Sequence, residues 1–214
     1  MENEIKEQES SIEEQNVSVE EQNVSIEEKN VSVEERFETP EEKKRRKRKP
    51  TIWICLTALF MGLNIAFSSF GIPVPGGHLY LCDTVICLAA ILLDPFAAFL
   101  VGGVGSFLGD LIFYPLPMFV SLVTHGLQAV VISVFSHYVM KKHPAAASII
   151  GCVIGGIIMV AGYTIGKAFI YSTPEYAIIK LPYEIGQAAL GIVFGPLLCY
   201  KCGIKKLVVR LTNK

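Results

Sequence analysis

Charged side chains are scarce in most of this 214-residue chain. Residues 51–214 contain only five acidic and nine basic side chains, about a third of the density of roughly a quarter that soluble domains show. A segment with so little charge cannot cover itself with a solvated surface. The scarcity excludes an ordinary soluble enzyme and a free nucleic-acid-binding protein, and it predicts a membrane domain over 51–214.

The first 50 residues lack the apolar and aromatic side chains that a folded core needs. They hold 15 of the 20 acidic residues, and no aromatic residue precedes Phe37. From Ser11 a seven-residue unit repeats (SIEEQNV, SVEEQNV, SIEEKNV), but its apolar residues alternate by 5 and 2, whereas a coiled-coil seam needs spacings of about 3 and 4. We therefore predict that residues 1–50 form a disordered, acidic repeat tail.

The tail ends in a basic cluster, KKRRKRK at residues 43–49. Because the cluster comes directly before the first apolar segment, it is typical of a cytoplasmic membrane anchor. Contact with anionic lipid head groups follows from its charge. We expect the lipid bilayer, and no nucleic acid, as its partner.

Six apolar stretches approach or reach the length of about 20 residues, with a range of about 17–25, that a membrane-spanning helix needs. The predicted spans are 52–70, 79–93, 96–113, 118–139, 145–171 and 181–200. With the amino terminus inside, the basic groups at 43–49, 141–143 and 201–210 are all cytoplasmic, and only Lys180, in the predicted loop 172–180, lies outside. This asymmetry follows the positive-inside rule. The sequence predicts an all-α integral membrane protein with six transmembrane helices and both termini cytoplasmic.

Small residues recur at helical spacing in three of the predicted spans. They are Ala58, Gly62 and Ala66 in the first, Ala98, Gly102, Gly105 and Gly109 in the third, and Gly151, Gly155, Gly162 and Gly166 in the fifth. Such stripes let another helix backbone approach closely. We expect the third and fifth helices to pack within the protein, and the stripe on the first helix is also suited to a partner protein.

Ionisable side chains at membrane depth are costly, so each is a functional hypothesis. Five are predicted inside spans: Asp83, Asp110, His125, Lys167 and Glu184, with Tyr163 and Gln187 at similar depths. At about 1.5 Å per residue, the five lie roughly 4–12 Å below the outer boundary. The sequence therefore predicts a substrate pocket that opens to the outside, in which Tyr163 stacks on a ring. Its acidic excess suits an uncharged or weakly basic polar ligand.

Two other classes of protein are alternatives to a substrate-capturing protein: a stand-alone channel or secondary transporter, and a membrane enzyme or scaffold. A stand-alone channel or secondary transporter remains the alternative, although the inner half of the predicted spans lacks the polar residues that a continuous path needs. We expect no enzyme, because the sequence shows no nucleophile–base or metal constellation, and hence no catalytic residue and no metal ligand. The pair Cys199-Tyr-Lys-Cys202 is weak evidence for zinc or redox chemistry, since no second pair accompanies it.

Several short motifs occur in a fixed order along the spans. They are His78-Leu-Tyr-Leu-Cys-Asp83, Gly103-Val-Gly-Ser-Phe-Leu-Gly-Asp110, Tyr114-Pro, Gly162-Tyr163, and Pro182 followed five residues later by Gln187. In this order the chain resembles, over about 50–205, the S component of an energy-coupling factor (ECF) vitamin transporter. More narrowly, it is similar to the group assigned to hydroxymethylpyrimidine- and pyridoxine-like substrates.

The resemblance implies a function and a set of partners. A six-helix S component of the bacterial cell membrane captures a vitamin or vitamin precursor from outside and docks on a transmembrane T component that carries two ATPases. The ATP is used by those ATPases, and the S component needs no cofactor. The resemblance also implies that the stripe on the first helix, Ala58, Gly62 and Ala66, meets the T component.

Overall fold

The computed structural model describes residues 40–75, 77–140 and 142–213. The chain divides into two compact units, Met1–Pro50 and Thr51–Lys214. All elements that form the site described below lie in the second unit. The predicted disorder of residues 1–50 lies outside the described residues for 1–39 and stays a prediction there, whereas it is wrong for 40–50, which are helical.

The described part of the chain forms seven helices and one two-stranded sheet. In chain order the elements are α1 (Pro40–Ser68), β1 (Ile72–Val74), β2 (Gly77–Leu79), α2 (Cys82–Leu92), α3 (Pro95–Phe113), α4 (Met118–His137), α5 (Pro144–Tyr171), α6 (Pro174–Tyr200) and α7 (Ile204–Asn213). Helix α3 contains a π-helical turn at Leu100–Val104, and α5 ends in another at Lys167–Tyr171. The predicted class, an all-α membrane protein, is confirmed apart from this small sheet.

Five of the described helices are long and apolar enough to cross a membrane: the Pro50–Ser68 part of α1, and α3, α4, α5 and α6. The predicted second span, 79–93, is instead the 11-residue helix α2, which at about 1.5 Å per residue is too short to span alone. Helix α2 begins only at Cys82, because Gly77–Leu79 form strand β2, which pairs with β1. The six predicted spans, of which 79–93 is the shortest, therefore correspond to five long helices and one short helix among the described residues.

The turn between α2 and α3 lies beside the beginning of the α1 span. Asp94 caps α3, because its Oδ2 accepts hydrogen bonds from the backbone N–H groups of Phe96 (3.2 Å) and Ala97 (3.3 Å), while Pro95 occupies the first helical position. Trp53 donates its indole N–H to the other oxygen of Asp94 and stacks on Phe96. These contacts fix α1 to the α2–α3 turn.

Helix α6 begins at Pro174, so the predicted loop 172–180 is wrong over most of its length. Proline is tolerated at the first helical position because that residue's N–H would have no partner within the helix. Pro182 lies inside α6, where it removes a single hydrogen bond without ending a membrane helix. As a result Lys180 is a buried helical residue, not an exposed loop residue.

The small-residue stripes of α3 and α5 pack within the bundle, as predicted. A Cβ at Gly102 would lie 2.7 Å from Ala129, and one at Gly155 would lie 2.8 Å from Ile132. An unpredicted glycine of α6, Gly195, approaches Cys87 in the same way (2.6 Å). Backbone contact at these positions brings α3 and α5 against α4, and α6 against α2.

The stripe on α1 faces away from the rest of the described bundle. Ala58, Gly62 and Ala66 are all exposed. A Cβ at Gly62 would meet no described atom within 4 Å. This face of α1 is therefore open to lipid or to a partner.

The segment between α1 and α2, predicted as a loop, is a short β-hairpin. Strands β1 and β2 are antiparallel, with Ile72 opposite Leu79 and Val74 opposite Gly77. Gly77 has a φ of +147°, a backbone conformation that favours glycine. A Cβ at Gly77 would lie 3.5 Å from Lys167 Nζ and from the Lys180 stem. The hairpin thus covers two lysines of α5 and α6.

Candidate functional site

A narrow cavity lies beneath the hairpin among helices α3, α5 and α6. Its free interior is about 20 Å³, and the total is about 440 Å³ when the space between the lining atoms and the open solvent at the mouth are counted. We call it the hairpin cavity. Five of the seven predicted substrate-binding residues line it: Asp110, Tyr163, Lys167, Glu184 and Gln187. The structure therefore brings together side chains that are up to 77 residues apart in the sequence.

The other two predicted residues, Asp83 and His125, lie behind the lining. Both are almost fully buried. Asp83 accepts hydrogen bonds from Gln128 Nε2 at Oδ1 (2.9 Å) and from Gln187 Nε2 at Oδ2 (2.5 Å). His125 Nδ1 lies 2.7 Å from Gln128 Oε1. These residues form a polar layer under the cavity, and Gln187 belongs to both the layer and the lining.

The ring of Tyr163 is held by polar contacts on one side and by an aromatic contact on the other. Its hydroxyl lies 2.5 Å from Ser121 Oγ, and Ser121 donates to Asp110 Oδ2. The centroid of the His125 ring is 5.2 Å from that of Tyr163. Because its orientation is fixed from α4, the ring presents a preorganised wall to the cavity.

Lys180 lines the hairpin cavity, although the sequence predicts it in the outer loop 172–180. It is 8% exposed, and its Nζ lies 3.7 Å from Glu184 Oε1 and 5.9 Å from the centroid of the Tyr163 ring. Thr164 Oγ1 donates to Glu184 Oε2 (3.2 Å). The spacing of Lys180 and Glu184 by four residues was the signal that could have placed them on one helix face.

The presence of Lys180 in the lining makes the charge of the site different from the predicted one. The lining contains two carboxylates, Asp110 and Glu184, and two lysines, Lys167 and Lys180. The predicted acidic excess is therefore absent from the lining itself. Such a cavity offers hydrogen-bond donors and acceptors in similar number, and it suits a ligand that carries both.

Aromatic side chains that were not predicted as contacts complete the walls. They are His78, Tyr80, Tyr114 and Tyr171. The rings of His78 and Tyr114 have centroids 5.7 Å apart, and Lys167 Nζ lies 5.6 Å from the centroid of Tyr171. Burial and the nearby Asp110 raise the pKa of Tyr80 above its usual range. The motif residues His78 and Tyr114 were visible in the sequence, but nothing there placed them at a cavity.

Cys82, Asp83 and His125 have possible metal-ligand atoms within 4.8 Å of one another. Both oxygens of Asp83 already accept hydrogen bonds from the two glutamines. In this structure Asp83 is therefore part of a hydrogen-bonded polar layer with the two glutamines. That the protein needs no metal or other cofactor stays a prediction.

Comparison with known proteins identifies a family for this chain. The family described as "ECF-type riboflavin transporter, S component" matches residues 50–204. The chain is also 36% identical over 131 residues to a Pyrococcus woesei protein described as "uncharacterized protein in gap 3'region", an alignment that covers 60% of this chain and 86% of that protein. Since the family match covers well over half of the chain, the protein belongs to the family of ECF-type riboflavin transporter S components.

Membership establishes the general role. The protein is a substrate-binding subunit of an ECF transporter and not an enzyme. It is a multi-pass membrane protein that works in the lipid bilayer with the T component and ATPases of an ECF module. The narrower resemblance to the hydroxymethylpyrimidine and pyridoxine group stays a prediction.

Proposed function

We propose that this S component captures a flat heteroaromatic vitamin, with riboflavin as the first candidate, in the hairpin cavity. The observation that carries the proposal is a tyrosine-walled cavity whose lining holds two lysines and two carboxylates. We further propose that the hairpin end of the bundle faces the outside, with both termini in the cytoplasm, as the distribution of basic residues predicts.

The walls of the cavity suit a planar ring. Four tyrosines line it, and Tyr163 is held in place by Ser121 and His125. Aromatic side chains bind planar ligands through offset or edge-to-face contacts at little entropic cost. The free interior is about 20 Å³ in this conformation, room for about one water molecule, so we propose that the lining side chains move apart when a flat vitamin binds.

The polar groups favour a ring with both carbonyl oxygens and N–H groups. Lys167 and Lys180 can donate to carbonyl oxygens, while Asp110 and Glu184 can accept from N–H or hydroxyl groups. The pyrimidinedione ring of riboflavin carries both kinds of group, and its ribityl chain adds hydroxyls. A hydroxymethylpyrimidine- or pyridoxine-like ligand, which the sequence suggested, would satisfy the carboxylates but would offer the two lysines fewer oxygen acceptors.

The exposed stripe on α1 supports the proposed docking role of Ala58, Gly62 and Ala66. These residues are small and open to the surroundings. In a membrane, association of helices depends on close backbone approach, which small residues permit. We propose that this stripe contacts the T component, which carries two ATPases.

The core below the polar layer argues against the alternative of a stand-alone channel or secondary transporter. Ile86, Ala129 and Ile132 follow His125 and Asp83 toward the opposite end, and all three are fully buried. An ion or substrate path would need polar or water-accessible groups there. Movement of substrate therefore requires a change of the whole S component, which an ECF module would drive.

The function is tested by titrating the purified protein with riboflavin, flavin mononucleotide, hydroxymethylpyrimidine, pyridoxine and thiamine, and by measuring uptake into proteoliposomes. We expect one ring vitamin to bind, and uptake to require an ECF module with ATP. Uptake by this chain alone would favour the channel or secondary transporter. Failure of the native protein to bind any ring vitamin would contradict the proposal.

A further inference from the structure

We propose that Lys180 and Glu184 together recognise a lactam edge of the ligand, in which a ring N–H is adjacent to a carbonyl group. Glu184 Oε1 accepts the ring N–H, and Lys180 Nζ donates to the neighbouring carbonyl oxygen. The inference rests on the proposed function, because it names the chemical feature by which the hairpin cavity selects its substrate.

The first observation is a carboxylate oxygen in the cavity wall that accepts no hydrogen bond, although a lysine lies at ion-pair distance from it. Glu184 is 1% exposed, and its Oε1 has no hydrogen-bond partner among the described residues. The other oxygen, Oε2, accepts a hydrogen bond from Thr164, which does not line the cavity. Lys180, which lies beside Oε1, does line the cavity. Since a buried carboxylate oxygen without a donor costs free energy, a ligand N–H at this position would be favoured.

The second observation is the position of the lysine. Lys180 Nζ lies 3.7 Å from Glu184 Oε1, which is an ion-pair distance but longer than the hydrogen-bond range of about 2.7–3.2 Å. The lysine stem packs under Gly77 of the hairpin. The ammonium group also lies near the Tyr163 ring. A donor and an acceptor are therefore held next to each other, one helical turn apart on the same face of α6.

This pairing selects between classes of ligand. A lactam or imide presents a donor and an acceptor on neighbouring atoms, which matches the two side chains. A ring carboxylate would attract Lys180 but repel Glu184. An aminopyrimidine without a carbonyl would leave Lys180 without an acceptor, and N-alkylation of the ring would remove the donor to Glu184. In each case at least one of the two buried side chains lacks its hydrogen bond to the ligand, which is an effective basis for rejecting a ligand.

The test is a thermodynamic cycle between protein and ligand. Riboflavin and N3-methylriboflavin are titrated against the native protein, Glu184→Leu and the control Glu175→Leu, an exposed acid on the same helix outside the lining. We expect methylation to weaken binding about 10- to 100-fold in the native protein and the control, and by less than about 3-fold in Glu184→Leu. Lys180→Met should bind riboflavin more weakly but keep the methylation penalty, because Glu184 is retained. This second variant decides the matter if Glu184→Leu does not fold.

The possible outcomes separate the inference from the function on which it rests. An equal methylation penalty in native protein and Glu184→Leu, or none in Lys180→Met, overturns the lactam contact while riboflavin binding stands. Binding of hydroxymethylpyrimidine in preference to riboflavin also overturns it, but keeps vitamin capture. Failure of the native protein to bind any ring vitamin overturns the proposed function itself.

Discussion

Gln187 of α6 donates a hydrogen bond of 2.5 Å to Asp83 of α2, although the two residues are 104 positions apart. The Oε1 of the same amide accepts the backbone N–H of Tyr80 (3.0 Å), and the side chain lines the hairpin cavity. One glutamine thus connects the cavity wall, the end of the hairpin and the buried carboxylate of α2. Asp83 accepts a second hydrogen bond from Gln128, which does not line the cavity. Comparison of the two glutamines can therefore separate effects on binding from effects on folding.

Gln187→Leu and Gln128→Leu form a matched pair, because each removes one donor to Asp83. Each variant removes the glutamine hydrogen bond from one buried oxygen of Asp83, so each should lower the free energy of unfolding by about 1–3 kcal/mol. Only Gln187 lines the cavity, so only Gln187→Leu should lose vitamin affinity, by about 10-fold or more. Thermal unfolding and calorimetric titration in detergent measure the two effects. Equal losses of affinity in both variants would show that Gln187 has no separate role at the ligand.

Lys180→Met should weaken vitamin binding about 10- to 100-fold, since it removes a charged donor from the lining. The control is Lys206→Met, which removes an exposed lysine of α7 and should leave the affinity unchanged. Equilibrium titration of both variants checks the expectation. Native affinity in Lys180→Met would mean that the charge balance of the lining does not govern the ligand.

The sequence predicted part of this site for a physical reason. Asp110, Lys167 and Glu184 were identified because ionisable groups at membrane depth are rare and costly. Lys180 was missed because the prolines on either side of it are typical of a loop, whereas Pro174 begins a helix and Pro182 is accommodated inside it. Tyr80 was missed because a tyrosine near the end of a span is also typical of the membrane interface.

The fold was predictable where a pattern has one structural meaning. The glycines of α3 and α5 indicated helix contacts, and Gly102 and Gly155 make them. The length of α2 and the hairpin before it were not predictable, because the segment GIPVPGG has the composition of an irregular loop. The hairpin packs over Lys167 of α5 and Lys180 of α6, contacts that the local sequence does not show.

Gly155→Ala should destabilise the protein, because its Cβ would lie 2.8 Å from the fully buried Ile132. Overpacking of this kind costs about 1–3 kcal/mol. Gly186→Ala is the control, since a Cβ there meets no described atom within 4 Å; it should be neutral or stabilising by up to about 1 kcal/mol. Thermal unfolding in detergent compares the two. If Gly155→Ala is as stable as the native protein, the contact between α4 and α5 is looser than described.

Gly62→Leu should leave vitamin binding intact and prevent assembly with the T component. The substitution adds bulk to an exposed face of α1 that lies away from the cavity, and a docked helix could then no longer approach closely. Gly186→Leu adds the same bulk at another open position and serves as the control. Co-purification with an ECF module, together with vitamin titration, measures both properties. Normal assembly of Gly62→Leu would remove this stripe from the docking surface.

The central claim is that the hairpin cavity holds a flat heteroaromatic vitamin between tyrosine walls and the polar groups of α5 and α6. The most direct test is calorimetric titration of the native protein and Tyr163→Ala with riboflavin and the other ring vitamins. The account predicts one-to-one binding of a ring vitamin to the native protein and a loss of about 10-fold or more in Tyr163→Ala. No binding by the native protein, or equal affinity in both proteins, would contradict it.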